Sequence, residues 1–146
     1  MTALVVAACS APAAPPAPAP PSSTAPPGTT TAAESPFCTD LRALQAGVLV
    51  YRADVLKAAR SEQQLDVDGM RRRAGAIASL GQSVLAHAPQ AISEQIHHVL
   101  DAIATSADRM AKRGARVRDV YDPLFTDAAR PAFDTVDHYD CTATGG

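Results

Sequence analysis

The first 33 residues contain no charged side chain, and all 13 basic and 15 acidic residues lie from Glu34 onward. Tryptophan is absent and aromatics make up only 4% of the 146 residues. The longest apolar run, Ala3 to Cys9, is too short for the ~20 residues a spanning helix needs. A formal charge of −2 argues against a globally basic nucleic-acid binder, and no nucleic-acid partner is expected. The apolar fraction of 47% is weighted towards alanine, a strong helix former with little surface to bury. No apolar–polar alternation suggests a strand.

Eight of the 12 prolines fall between Pro12 and Pro27, among Ala, Ser and Thr. Such a stretch has too little apolar surface to offset the entropy of folding. It is expected to be a disordered, partly polyproline-II spacer, able to extend roughly 80 Å at about 3.1 Å per residue. Ahead of it, Val6-Ala7-Ala8-Cys9 resembles the lipobox of bacterial lipoproteins: an aliphatic residue, two small residues and a cysteine. The Pro/Ala/Thr-rich spacer is similar to that of actinobacterial envelope lipoproteins. The resemblance covers about the first 35 residues and implies a location rather than an activity. It implies that 1–8 is a signal peptide, that Cys9 becomes a lipidated N-terminus, and that 9–36 is the linker. A helical domain over 37–146 then stands on the extracytoplasmic face of the membrane. The sequence departs from the lipoprotein pattern in having no Lys or Arg before the apolar run. The natural start is therefore expected upstream of Met1.

Three cysteines are present, and lipidation of Cys9 leaves an even pair, Cys38 and Cys141. In an oxidising compartment these two are expected to form a disulfide; the alternative is two unrelated buried thiols. Between them the apolar residues recur at steps of three and four, the spacing of one helix face. Phe37, Leu41, Leu44, Val48, Tyr51 and Val55 form one stripe. Met70, Ala74, Ile77, Leu80 or Gly81, Val84 and Ala88 form a second. Ile92, Ile96, Val99, Ile103 and Met110 form a third, with Ser106 in register. The fourth, from Val117 to Tyr139, is less regular.

The pattern predicts an all-α protein, an antiparallel four-helix bundle with helices near 39–60, 67–87, 90–113 and 116–140, each about 30 Å long. Thr39 or Asp40 is expected to cap the first helix, Asp66 or Asp68 the second; Pro89 should open the third and Gly114 end it. Pro123 and Pro131 each remove a helical donor, so the fourth helix should break near one or both. An even number of antiparallel helices returns Cys141 to the end where Cys38 lies.

In that topology the other end gathers most of the cations. Arg71, Arg72, Arg73, Arg109, Lys112 and Arg113 form a candidate surface for an anionic envelope polymer or protein, with Lys57, Arg60, Arg116 and Arg118 nearby. Three arginines in the first turns of a helix oppose its dipole, a local conflict of the kind that accompanies function. His97 and Asp101 share a helix face at i, i+4 spacing, the only arrangement approaching a metal pair, and no metal or other cofactor is expected. Tyr51, Tyr121 and Tyr139 are read as packing aromatics rather than haem ligands. There is no GxSxG, no Gly-rich phosphate loop and no nucleophilic thiol once the pair is bridged, so no enzyme is expected. The reading is a membrane-anchored lipoprotein with a non-catalytic binding or structural role; the alternative is an extracytoplasmic carrier of a metal, haem or lipid.

Overall fold

The computed structural model describes residues 35–61 and 65–141. Among them are five helices and no strand: α1 (Pro36–Ser61), α2 (Val67–Leu85), α3 (Gln90–Met110), α4 (Val117–Phe125) and α5 (Arg130–Asp137). The expected signal segment, Cys9, the linker up to residue 34 and the last five residues of the 37–146 domain lie outside the described residues. The expected element at 116–140 is two helices, separated at Thr126–Ala129.

The first helix begins earlier than Thr39 or Asp40. Pro36 occupies its first turn, where a missing N–H costs nothing and a preset φ favours the helix. The Ser35 hydroxyl accepts from the Cys38 N–H at 3.3 Å, and the Ser35 carbonyl accepts from Cys38 and Thr39 at 2.9 and 3.1 Å. Asp66 caps α2 as expected, its carboxylate accepting from the Gly69 N–H at 3.0 Å. Pro89 is the N-cap of α3, and α3 stops at Met110 rather than 113. Gly114 lies beyond that end, in the turn to α4, with φ +76°, a backbone shape that glycine adopts without steric cost.

The break before α5 falls where Pro131 sits, in the first turn of that helix. Thr126 gathers the loose donors: its hydroxyl accepts from Ala129 at 3.3 Å and its carbonyl from Ala129 and Arg130 at 3.1 Å. Pro123 lies inside α4 without breaking it. The donor it removes would have served the carbonyl of Asp119, four residues back. Arg109 Nη1 donates to that carbonyl instead, at 3.3 Å.

Every residue of the first stripe is buried, and Leu41, Leu44, Val48, Tyr51 and Val55 are wholly so. Burying an aliphatic side chain of this size is worth about 1.5–3 kcal/mol. The second stripe runs through Gly81, buried, rather than Leu80, half-buried. A Cβ at Gly81 would collide with the Leu100 side chain, so glycine lets α2 and α3 approach there. The third stripe is buried throughout, Ser106 included. From the irregular fourth, Val120, Leu124, Ala132, Phe133 and Val136 enter the core.

α1 packs on α2 and α4, and α3 packs on α2, α4 and α5. Side chains bind α5 and the residues just after it to α1. Cys38 and Cys141 form a disulfide with Cα atoms 5.8 Å apart. Phe37 meets Tyr139 edge-on at 5.8 Å, and Gln45 donates to the Val136 carbonyl at 2.6 Å. The Arg52 guanidinium lies 4.3 Å from the ring centre of Phe133 and 5.1 Å from that of Phe125, and pairs with Asp137 at 3.3 Å. One cation thus spans the interruption between α4 and α5. Tyr51 donates to Ser106 at 3.1 Å and Ser106 donates to the Val120 carbonyl at 2.9 Å, a buried relay joining α1, α3 and α4.

Candidate functional site

Ten basic residues fall near the end of α1, the start of α2, and the passage from α3 into α4, but they do not form one continuous lining. Successive helical residues point about 100° apart, so Arg71, Arg72 and Arg73 cannot share a face. Arg73, half-buried, turns to α1 and pairs with Asp54 in a cleft that also includes Lys57, Leu65, Asp66 and Met70. Arg71, exposed, borders a shallow groove between α2 and α3, floored by Ala74, Leu100 and Ile103 and faced across by Asp108 and Ala111. Arg72 is exposed and lines neither cleft.

Arg109, Lys112 and Arg113 do come together. With Gly114, Ala115 and Asp119 they line an open cleft of about 350 Å³ around the turn between α3 and α4. Arg109 is half-buried and anchored on the Asp119 carbonyl, whereas Lys112 and Arg113 reach solvent. The carboxylate of Asp119 belongs to Arg116: the Arg116 N–H donates to it at 3.0 Å, and the guanidinium Nε stands 3.7 Å away. The backbone bond, followed by the cations of Arg116 and Arg109, holds the Asp119 carboxyl below the usual range, although partial desolvation opposes them. Arg118 is similarly answered by Asp122 at 3.7 Å.

The histidines are not assembled into a ligand set. His97 and Asp101 are both exposed on α3, and it is the neighbouring His98 that stands beside a carboxylate, 3.8 Å from Glu94. Among the described residues no three His, Cys, Asp or Glu side chains cluster to hold a metal. The tyrosines are engaged in packing. Tyr51 is buried in the Tyr51–Ser106 relay; desolvation raises its pKa and outweighs the opposing Ser106 hydrogen bond, leaving the hydroxyl less acidic than usual. Tyr121 stacks on Phe125 at 4.3 Å, and Tyr139 meets Phe37. No helix of the described residues is long and apolar enough to cross a membrane.

Sequence reasoning passed over Arg52. Its position on the flank of the first stripe looks like any solvated arginine. Burial pushes the Asp137 carboxyl up, and Arg52 only partly offsets that cost. Sequence reasoning also missed the Arg116–Asp119 pairing, because the helix-start signature asks for a Ser, Thr, Asp or Asn cap and Arg116 is none of these. Compared with protein-family models, curated proteins and solved structures, the chain matches none of them.

Proposed function

We propose that this protein is a bacterial envelope lipoprotein, tethered to the extracytoplasmic face of the membrane through a lipid on Cys9, with a non-catalytic binding or structural role. The observation that carries the reading is the Cys38–Cys141 disulfide. It leaves Cys9, at the end of Val6-Ala7-Ala8-Cys9, as the one cysteine outside the pair. Both facts belong together: an oxidising compartment makes the bond, and export followed by acylation uses the remaining thiol.

In this reading the five helices work as an antiparallel four-membered bundle, with α4 and α5 together as the fourth member. The order of contacts supports it, since residues early in α1 meet residues late in the chain: Cys38 with Cys141, Gln45 with Val136, Arg52 with Phe133. The partner is an anionic component of the envelope, and the exposed cations of α2 and of the α3–α4 turn are what attract it.

Intact-mass analysis of protein extracted from its native membrane tests the anchor. The expected product begins at an acylated Cys9 and carries one disulfide. An uncut, unacylated chain with every thiol open to alkylation would overturn the reading. Replacing Arg71→Glu together with Arg72→Glu tests the partner: retention on anionic envelope material at low salt should be lost, and unchanged retention would remove α2 from the surface.

A further inference from the structure

The charge on the α3–α4 turn exceeds what the fold requires. The negative pole of α3 amounts to about half a unit charge. Arg109, Lys112 and Arg113 together bring far more to a cleft whose only carboxylate, Asp119, is already answered by Arg116. Arg109 gives one donor to the Asp119 carbonyl and some of its charge to the Asp119 carboxylate, so Lys112, Arg113 and the rest of the Arg109 fork are left facing a common space.

The backbone of the turn also carries donors without a backbone partner. The N–H groups of Ala111, Lys112 and Ala115 are bonded back into the turn, to the carbonyls of Ala107, Arg109 and Lys112. No backbone bond within the described residues takes up the N–H groups of Arg113 and Gly114. Gly114, with φ +76°, is the third residue of the Lys112–Ala115 turn that the Ala115 N–H closes on the Lys112 carbonyl, and the Arg113 and Gly114 N–H groups stand outside that bond.

We propose that the α3–α4 turn is a binding site for a phosphate group, held by Lys112, Arg113 and the remaining donors of Arg109. The proposal rests on the reading of an anionic envelope partner and names its recognised group. Two guanidinium forks and an ammonium match the several oxygens of a phosphate better than the two of a carboxylate. The lining holds no aromatic ring, and Ala115 is its only apolar side chain, so it recognises charge rather than a base or an acyl chain. The cleft, at about 350 Å³ and open, accommodates a phosphate with part of the molecule that bears it.

Titrating the isotope-labelled full chain with inorganic phosphate at low salt, followed by backbone amide NMR, tests the site. Saturable shifts at Arg113 and Gly114 are expected. The double variant Lys112→Gln, Arg113→Gln should weaken binding about tenfold or more, while Arg71→Gln with Arg72→Gln should leave it unchanged. All four side chains are exposed, and circular dichroism would register any loss of fold. Absence of shifts at the turn, or equal weakening by both variants, would overturn the site while leaving the Cys9 anchor standing. A poly(glycerol phosphate) chain and vesicles containing phosphatidylglycerol then separate the sources: binding to either supports the site and assigns its carrier. Equal binding of a polyuronate would overturn the preference for phosphate.

Discussion

Where the first and last helices meet, most polar or charged groups close on the protein itself, although the Arg52 Nε is buried there without a hydrogen-bond partner. The disulfide, the Phe37–Tyr139 pair, the Gln45 amide on the Val136 carbonyl and the Arg52 stack all close on partners within the fold. The turn from α3 to α4 is the reverse, with exposed cations, backbone donors that no backbone carbonyl takes up and an acid engaged by its own helix start and the nearby charge of Arg109. Substitutions in the first region should therefore register as lost stability, and substitutions in the second as lost binding.

The largest expected effect comes from opening the disulfide. Cys38→Ser, or reduction, releases a loop of 103 residues and should cost about 4–5 kcal/mol in the chain-entropy account, read as a lower denaturant midpoint. Phe133→Ala should cost about 3–5 kcal/mol, because it empties a core position that also supports Arg52. Ser106→Ala should cost about 1–3 kcal/mol, since it strips an acceptor from the buried Tyr51 hydroxyl and a donor from the Val120 carbonyl. Lys112→Gln, by contrast, should stay within about 0.5 kcal/mol of the parent; a larger loss would mean that the turn is part of the fold's own framework.

The smallest effects differ in sign. Asp119 has a lowered folded pKa, so its contribution is present above the ordinary carboxylate range and is lost as pH falls through the folded value. Asp119→Asn should lower stability at neutral pH, with the difference closing on acidification. Asp137 has a raised folded pKa, so its ionised form costs stability above that value; the cost shrinks as pH falls below it and is gone only below the ordinary carboxylate range. Asp137→Asn should therefore be neutral or stabilising at pH 7. Denaturant midpoints across a pH series check both, and a matching pH dependence for the two variants would erase the contrast.

Helical periodicity made the class of fold legible, because a buried face must repeat with the helix. It identified the first and third stripes residue by residue, and even kept Ser106 in register. Proline chemistry pointed to an interruption in the last element. It could not choose between Pro123 and Pro131, since that depends on whether a distant donor, here Arg109, replaces the lost one. The first cap was misjudged because Thr39 and Asp40 are good cappers, whereas Ser35–Pro36 is better placed to start a helix. At the candidate site, the sequence pattern gathered the cations near the α1–α2 and α3–α4 connections, but the direction of each arginine depends on helical phase, which sends Arg73 to Asp54. The role of Arg52 was not legible at all. It depends on where the break brings two phenylalanine rings, and no local spacing encodes that.

The sulfur link between Cys38 and Cys141 also governs how the domain responds to mechanical load. A pull on the segment before Cys38, resisted beyond Cys141, passes through the covalent bond and bypasses the helices between them. With the bond intact those helices release no slack; once it is reduced, the same pull can draw out roughly 340–370 Å of chain.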